Sequence, residues 1–310
     1  MPNKTVGAGG LVRLIVWGIV ALAVVILVQM FPSVTALISP SLHSRSTYCT
    51  RWLAIRDYPV EMRQSSQTAA IARECHLIRR EGGLSLWATP QGEYWIPTSD
   101  DAVLPLLLAQ ANREIYGAAG WGVRPGDVVL DAGAYIGTWA RWALAHGAKV
   151  VVEIEPTPAS VECLRRNLAG ELASGRAILV PKGIWDSDGV LRLHENPDNS
   201  AGNSFLANQE TGRAVDVPVT TVDSLASDLD LPRVDFIKAD IKGATERLIR
   251  GGARVIARDR PRLAFSTEEP GDDAAKIAAL AKKVVPAYEM KCGPCLLDGR
   301  EIYTDVLFFR

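Results

Sequence analysis

The sequence predicts a doubly wound α/β fold: a mostly parallel sheet covered by helices, with an antiparallel carboxyl-terminal edge, preceded by one amino-terminal transmembrane helix. Three observations carry this. From Val128 onward, apolar strand-like runs alternate with helical patterns, the signature of a parallel sheet with helices on both faces. "YEMKC" and "DVLFFR" near the end read as two strands with no helix between them, hence an antiparallel pair at a sheet edge. Residues 14–31, "LIVWGIVALAVVILVQMF", form an eighteen-residue run with only Gln29 strongly polar, within the roughly 17–25 residues that a membrane-spanning helix needs.

The elements follow in order. The apolar run is longer than the roughly 7–15 residues of a signal-peptide core and no clear A-x-A site follows it, so it reads as an uncleaved anchor. Residues 32–47 are Ser- and Pro-rich and read as a tether. Residues 48–80 read as largely helical, "LSLWATPQGEYWIP" as a hairpin, and "DDAVLPLLLAQANREIY" as a helix that Pro105 could kink; together, residues 48–120 make an amino-terminal extension. In residues 121–310, strands are expected at 128–132, 149–155, 177–183, 234–240 and 262–267, and helices at 138–146, 158–170, 243–257 and 272–284.

Composition narrows the function. A chain of 310 residues, 48% apolar, with formal charge −1 has ample core. It offers no basic stripe interleaved with aromatics for nucleic acid. Its four histidines fall in no metal-ligand spacing. Five cysteines is an odd number, against a secreted disulfide framework.

The informative stretch is "VVLDAGAYIGTWARWALAHGAKVVVEIEP", residues 128–156. In such sheets ligands bind at the carboxyl ends of the strands, where the strand order switches. Gly133 lets backbone approach a ligand closely, and Gly137 lets the helix start close to the strand. Glu155 closes the next strand, where a carboxylate can accept from both hydroxyls of a ribose. Two ligands fit, a dinucleotide and S-adenosylmethionine. The spacing is D-x-G-x-x-x-G, not the G-x-G-x-x-G of dinucleotide sites. Asp131 would repel a pyrophosphate but attract the ammonium of a methionine moiety, which favours S-adenosylmethionine.

These segments resemble the first two motifs of class I methyltransferases, and the flanking residues resemble the FkbM-type family. "GDVVLDAGAYIGTWA" is similar to its opening motif, and "VVEIEPTPASVECLRRNL" to its acidic strand end and helix. "VPVTTVDSLASDLDLPRVDFIKADIKGATERLIRGG" is similar to its most distinctive block, D-x-I-K-x-D-x-E-G-A-E, and "PRLAFSTEEPGDDAAKIAAL" to its later strand and helix. The resemblance covers residues 85–310. It implies a Rossmann-like fold, S-adenosylmethionine as donor, and methylation of a hydroxyl oxygen on a sugar or other small molecule. It carries cofactor contacts onto Asp131, Gly133, Ala134, Tyr135, Gly137 and Glu155, and places Asp240 beside the reacting methyl. Asp186, after the third strand, is the candidate for the adenine amino group, with Trp185 as a stacking face; the same residues also fit a type I turn.

Three positions depart from the family. Tyr135 stands where Asn or Gly tolerates positive φ, so the turn is strained, the loop differs, or the ring contacts the cofactor. Lys242 and Thr245 replace two glutamates. Glu269, beside Glu268, stands in place of a histidine; Lys242 and Glu269 are the candidate bases, against the plainer reading of solvated residues at helix starts. "CGPC", residues 292–295, has dithiol spacing but sits in a turn-rich stretch and reads as a structural turn, with redox or metal binding as the alternative. Two rival functions remain open: a non-catalytic relative that keeps the fold, and a nicotinamide-dependent oxidoreductase. Because the donor is cytoplasmic, residues 48–310 are expected in the cytoplasm at the membrane face, with all five cysteines reduced, acting on a small, glycan or lipid-linked acceptor.

Overall fold

The computed structural model describes residues 13, 15–20, 22, 42–117, 120–196, 200–206, 213–268 and 272–310. The expected span at 14–31 therefore lies for the most part outside the described residues; those described there are helical, with exposed side chains. Among the described residues, no helix is long and apolar enough to cross a membrane. Neither the fold nor a site below draws on an anchor.

The core is a seven-stranded sheet. Its strands in chain order are β1 (Val128–Ala132), β2 (Val150–Ile154), β3 (Ala177–Val180), β4 (Phe236–Ala239), β5 (Arg262–Ser266), β6 (Met290–Cys292) and β7 (Val306–Phe309). They lie in the order β6-β7-β5-β4-β1-β2-β3. β1 to β5 are parallel; β7 runs antiparallel to both β5 and β6, which makes the carboxyl-terminal edge. All five residues of β1 are buried, as expected of a strand covered on both faces. Chain order reverses between β1 and β4. The carboxyl ends of those two strands therefore open the crevice in which such sheets bind ligands.

The helices that cover the sheet follow the apolar periodicity, with two interruptions. The helix expected at 158–170 is Pro158–Asn167 followed by a short Ala169–Ala173. The helix expected at 243–257 is two, Thr245–Gly251 and Ala253–Asp259. At Gly252 a Cβ would come 2.9 Å from the Cβ of Val222, so the chain bends where the neighbouring helix presses on it. The helix of the extension runs Arg51–Glu74, started by the Thr50 side chain accepting from the Leu53 amide. It stops at Cys75, and His76–Glu81 is a strand. Gly82 and Gly83, at φ +57° and +80°, make the two-residue turn into the next strand, Leu84–Thr89, a glycine pair suited to tight hairpins. Pro105 lies in the first turn of the helix Leu104–Asn112 and does not kink it, because its missing N–H has no partner there anyway.

Two structures were not foreseen. Ala214–Thr220 pairs with Gly189–His194 and Gly183–Ile184 in a small sheet beside the crevice. Residues 295–304 are themselves a hairpin, Cys295–Asp298 with Glu301–Thr304. The expectation of five reduced cysteines is overturned: Cys295 is bonded to Cys49, across 246 residues, while Cys75, Cys163 and Cys292 are free thiols. The partner of Cys295 is thus not its neighbour in "CGPC". Both bonded cysteines are buried among Leu42, Ala54 and Ile302, so the bond ties the start of the long helix to the carboxyl-terminal hairpin.

Candidate active site

Three charged residues lie side by side on adjacent strands. Asp131 on β1 is in register with Glu153 on β2 and with Lys238 on β4. Asp131 and Glu153 are fully buried and Lys238 nearly so. The Lys238 Nζ sits 2.8 Å from Asp131 Oδ1 and donates to the Gly133 carbonyl at 2.9 Å; it also lies 5.1 Å from the ring centre of Tyr116. Burial pulls the lysine pKa down, but Asp131, Asp240 and Glu153 outweigh it and hold the ammonium charged. One cation serves two acids, and burial together with the Asp131 charge pushes the Glu153 pKa far above the usual carboxylate range. Asp131 therefore faces the interior pair, not the crevice. Sequence reasoning overlooked Glu153 and Lys238. The available signal was a charge inside "VVVEIE" and "DFIKAD", runs whose other residues read as fully buried strand.

Above this row the chain turns sharply. Gly133 and Gly137 have φ +79° and +83°, the conformation glycine adopts at no steric cost. A Cβ on Gly133 would come 2.0 Å from the Asp240 carbonyl oxygen, and one on Gly137 would come 2.9 Å from Leu164. What Gly133 admits is thus the backbone of β4's end, and what Gly137 admits is the helix Pro158–Asn167. Ala134, between them, is buried and donates its amide to the Ile154 carbonyl. Tyr135 has φ +52°, so the strain foreseen for a bulky residue is present. Its amide donates to Glu155 Oε2 at 3.0 Å and its phenol to Asp100 Oδ2 at 2.5 Å. Glu155 also accepts from the Thr157 amide at 2.8 Å. Burial raises its pKa to about 7 against those bonds.

Asp240 ends the opposite strand. Tyr116 donates its phenol to Asp240 Oδ2 at 2.9 Å, and Lys242 Nζ lies 3.6 Å from Oδ1. Burial works against the Asp240 charge, but Lys242, Lys238 and Tyr116 together bring its pKa below the ordinary value. Lys242, at φ +46°, is also 3.5 Å from Glu268 Oε1. Tyr116 and Glu268 are additions to the expected set; Glu269 lies outside the described residues.

A cavity of about 280 Å³ opens over these strand ends. Gly133, Tyr135 and Glu155 line one side, Asp240, Lys242 and Glu268 another. Gln110 from the extension and Ile184, Asn203 and Phe205 complete the wall. Asp131 and Asp186 are not among its lining residues. Asp186 instead pairs with Arg247 at 2.6 Å in a separate cleft, and Trp185 meets the cavity only through the edge of Phe205, 5.7 Å away between ring centres. Among the described residues, no group of three or more His, Cys, Asp or Glu is arranged to hold a metal ion.

Residues 131–283 match the family model of the methyltransferase FkbM domain. Of the curated proteins, 31-O-demethyl-FK506 methyltransferase FkbM from Streptomyces tacrolimicus is 25% identical over 169 residues, 46% of this chain and 64% of that protein. Similar solved structures include methyltransferase FkbM from Methylobacillus flagellatus KT, at 17% identity over 69% of this chain and 55% of that one, with a TM-score of 0.45. Another is TYW2 from P. horikoshii in complex with MeSAdo, at 12% identity over 76% and 74%, with a TM-score of 0.40. The chain spans less than two thirds of the first two relatives, 64% and 55%. Residues 131–283 of this chain thus match the FkbM methyltransferase domain, and the curated relative is itself an FkbM methyltransferase.

Proposed function

We propose that this protein transfers a methyl group from S-adenosylmethionine to a hydroxyl oxygen of a sugar or other small acceptor. The observation that carries the choice of donor is the charge of the cavity wall. Among its described lining residues, three are acids, Glu155, Asp240 and Glu268, and one is a cation, Lys242. That wall suits a ligand with a sulfonium and an ammonium and repels the pyrophosphate of a nicotinamide dinucleotide. The fit is also one of capacity. Each Glu155 oxygen accepts one backbone amide and has a lone pair left for a ribose hydroxyl.

Roles follow from position. Gly133, Ala134, Tyr135 and Gly137 shape the turn against the donor, and Glu155 takes the ribose. Asp131 acts from behind, by holding Lys238 against the Gly133 carbonyl. When bound, the donor supplies a methyl on an already activated leaving group, so most of the rate is alignment. Asp240, pinned by Tyr116 and Lys242, orients the acceptor hydroxyl. A cavity-facing carboxylate, Glu268 being the described candidate, takes its proton. Lys242 bridges the two acids and fixes their spacing. Residues 121–310 are the catalytic unit, and residues 48–120 an extension that walls the cavity. A non-catalytic role is the second reading, favoured by Lys242 occupying a family glutamate position.

Calorimetry with S-adenosylmethionine and its demethylated product, followed by methyl-transfer assays on hydroxylated acceptors, tests this. Binding of neither compound sinks the proposal. Tight binding of both with no turnover on a broad acceptor panel supports the second reading instead.

A further inference from the structure

Asp100 is fully buried, on the single turn Thr98–Asp100 that ends the amino-terminal hairpin, far in sequence from every residue of the family motifs. Donors converge on it from two sides. Tyr135 gives its phenol O–H at 2.5 Å. Ser200 gives its amide, 3.1 and 3.2 Å from the two oxygens, and its hydroxyl. The Ser99 hydroxyl adds a fourth at 2.8 Å. Each partner leads into the cavity. Through its amide, Tyr135 reaches Glu155. Ser200 starts the turn Ser200–Gly202, and the residues after it form part of the wall. Asn203 donates to the Thr157 hydroxyl at 3.3 Å, and Ser204 to the Lys242 carbonyl at 3.2 Å. Phe205 lies so close over Gly183 that a Cβ there would come 2.5 Å from the ring.

We propose that Asp100 is a positioning residue that couples the Tyr135 turn to the Ser200–Phe205 wall, so that donor binding depends on both sides of the cavity at once. Tyr135 is strained, and a strained residue persists only where its surroundings over-determine it. Here the surroundings are a buried carboxylate and Glu155. A carboxyl group with two oxygens accepts from both sides at once, so Asp100 ties the Tyr135 phenol and the Ser200 amide and hydroxyl to one point. The tyrosine that departs from the family pattern is thus one half of a device whose other half is Asp100. This inference rests on the cavity being the donor site.

The test is calorimetry of the full chain with the demethylated donor product, alongside melting temperatures. The variants are Tyr135→Phe, Ser200→Ala, their combination, and Asp100→Asn. Each single change should weaken binding by about tenfold, the size of one buried hydrogen bond. The double variant should be weakened by clearly less than the product of the two, because both act through one carboxylate. A purely structural Asp100 would lower the melting temperatures and leave the two effects multiplicative or absent. If the wild-type chain binds and the two folded single variants bind equally well, or multiply when combined, the coupling is refuted and the donor site stands. If the wild-type chain does not bind, both fall. Should Asp100→Asn fail to fold, Tyr135→Phe and Ser200→Ala decide alone, since each removes one hydroxyl and leaves the carboxylate in place.

Discussion

Replacing Lys238 with Met should convert the buried charge row into a pH-dependent weakness. The methionine keeps a flexible apolar stem of similar length against Tyr116 and Trp139, so little packing is lost. What is lost is the 2.8 Å pair with Asp131 and the bond to the Gly133 carbonyl. Asp131, fully buried, cannot stay charged beside Glu153 without its cation and folds as the neutral acid. Its ordinary pKa is 3.8, and each pH unit above that costs about 1.36 kcal/mol to keep the proton. The penalty is therefore at most about 4 kcal/mol at pH 7 and about 2 kcal/mol at pH 5.5, since burial already raises the Asp131 pKa in the parent despite Lys238. In the parent stability is likewise lost as the pH rises, but in a far more alkaline window. With its pKa raised above 10.5, Lys238 contributes fully below that pH and loses its contribution only as the pH rises past it. Urea unfolding of parent and variant at several pH values between 5.5 and 8 measures the difference. Adding Asp131→Leu to the variant should restore more than half of the loss. A difference below about 1 kcal/mol, or one flat with pH, would show that Asp131 and Lys238 do not form a buried charged pair.

Three further predictions follow from the same geometry. Glu155→Gln should weaken donor binding by about 1.5–3 kcal/mol, measured by calorimetry, and in the parent affinity should fall as the pH drops below about 7, where the carboxylate takes up its proton; for stability the sign is reversed, because this raised pKa costs the folded state progressively as pH rises from 4.5 through 7. Gly133→Ala should cost more than about 2 kcal/mol in urea unfolding, since it combines φ +79° with a backbone oxygen 2.0 Å from the new Cβ; an Ala variant of parental stability would mean that this turn does not press against Asp240. Reduction of the Cys49–Cys295 bond, or Cys49→Ser, should lower stability by about 2–5 kcal/mol for so long a closed loop, and thiol titration of the unfolded, unreduced protein should count three free groups.

The sheet was legible because its strands are buried on both faces, and such strands read as continuous apolar runs. Val128–Ala132, with no exposed residue, needed no further context. The antiparallel strands Gly189–His194 and Ala214–Thr220 escaped notice for the opposite reason. Both alternate only partly, with Val190 exposed, and Pro218 in the second demotes an otherwise strand-like run. The site divided in the same way. Glycine spacing and the acid at the second strand end are local features, and the sequence also revealed that Tyr135 would need positive φ. What offsets that strain is Asp100, 35 residues upstream on another element, and no local pattern connects the two. Asp131 shows the complementary failure. Its position at the strand end suggested a cofactor contact, but the rotamer that the fold selects is decided by Lys238, more than a hundred residues later.

The disulfide and the donor make opposite demands on location. S-adenosylmethionine as donor argued for the cytoplasm, a compartment that keeps thiols reduced, whereas Cys49–Cys295 requires an oxidising one or a bond protected from reductants. Burial of both cysteines, at 4% and 3% exposure, supplies some of that protection, since exchange needs a thiolate to reach a sulfur. The nearest free cysteine in sequence is Cys292, half-buried and with its pKa pushed up by burial, so the attacking form is scarce at neutral pH. The bond also closes the start of the extension's helix onto the carboxyl-terminal hairpin. Among the contacts that hold the extension are a covalent tie at the start of its helix, the Asn167 bonds to the Trp95 backbone, and the Asp100 carboxylate beside the cavity. The Asp100 tie is the one at the cavity wall, so loss of the disulfide should loosen the start of the extension and lower stability while leaving the Asp100 contacts to keep the cavity walls in register.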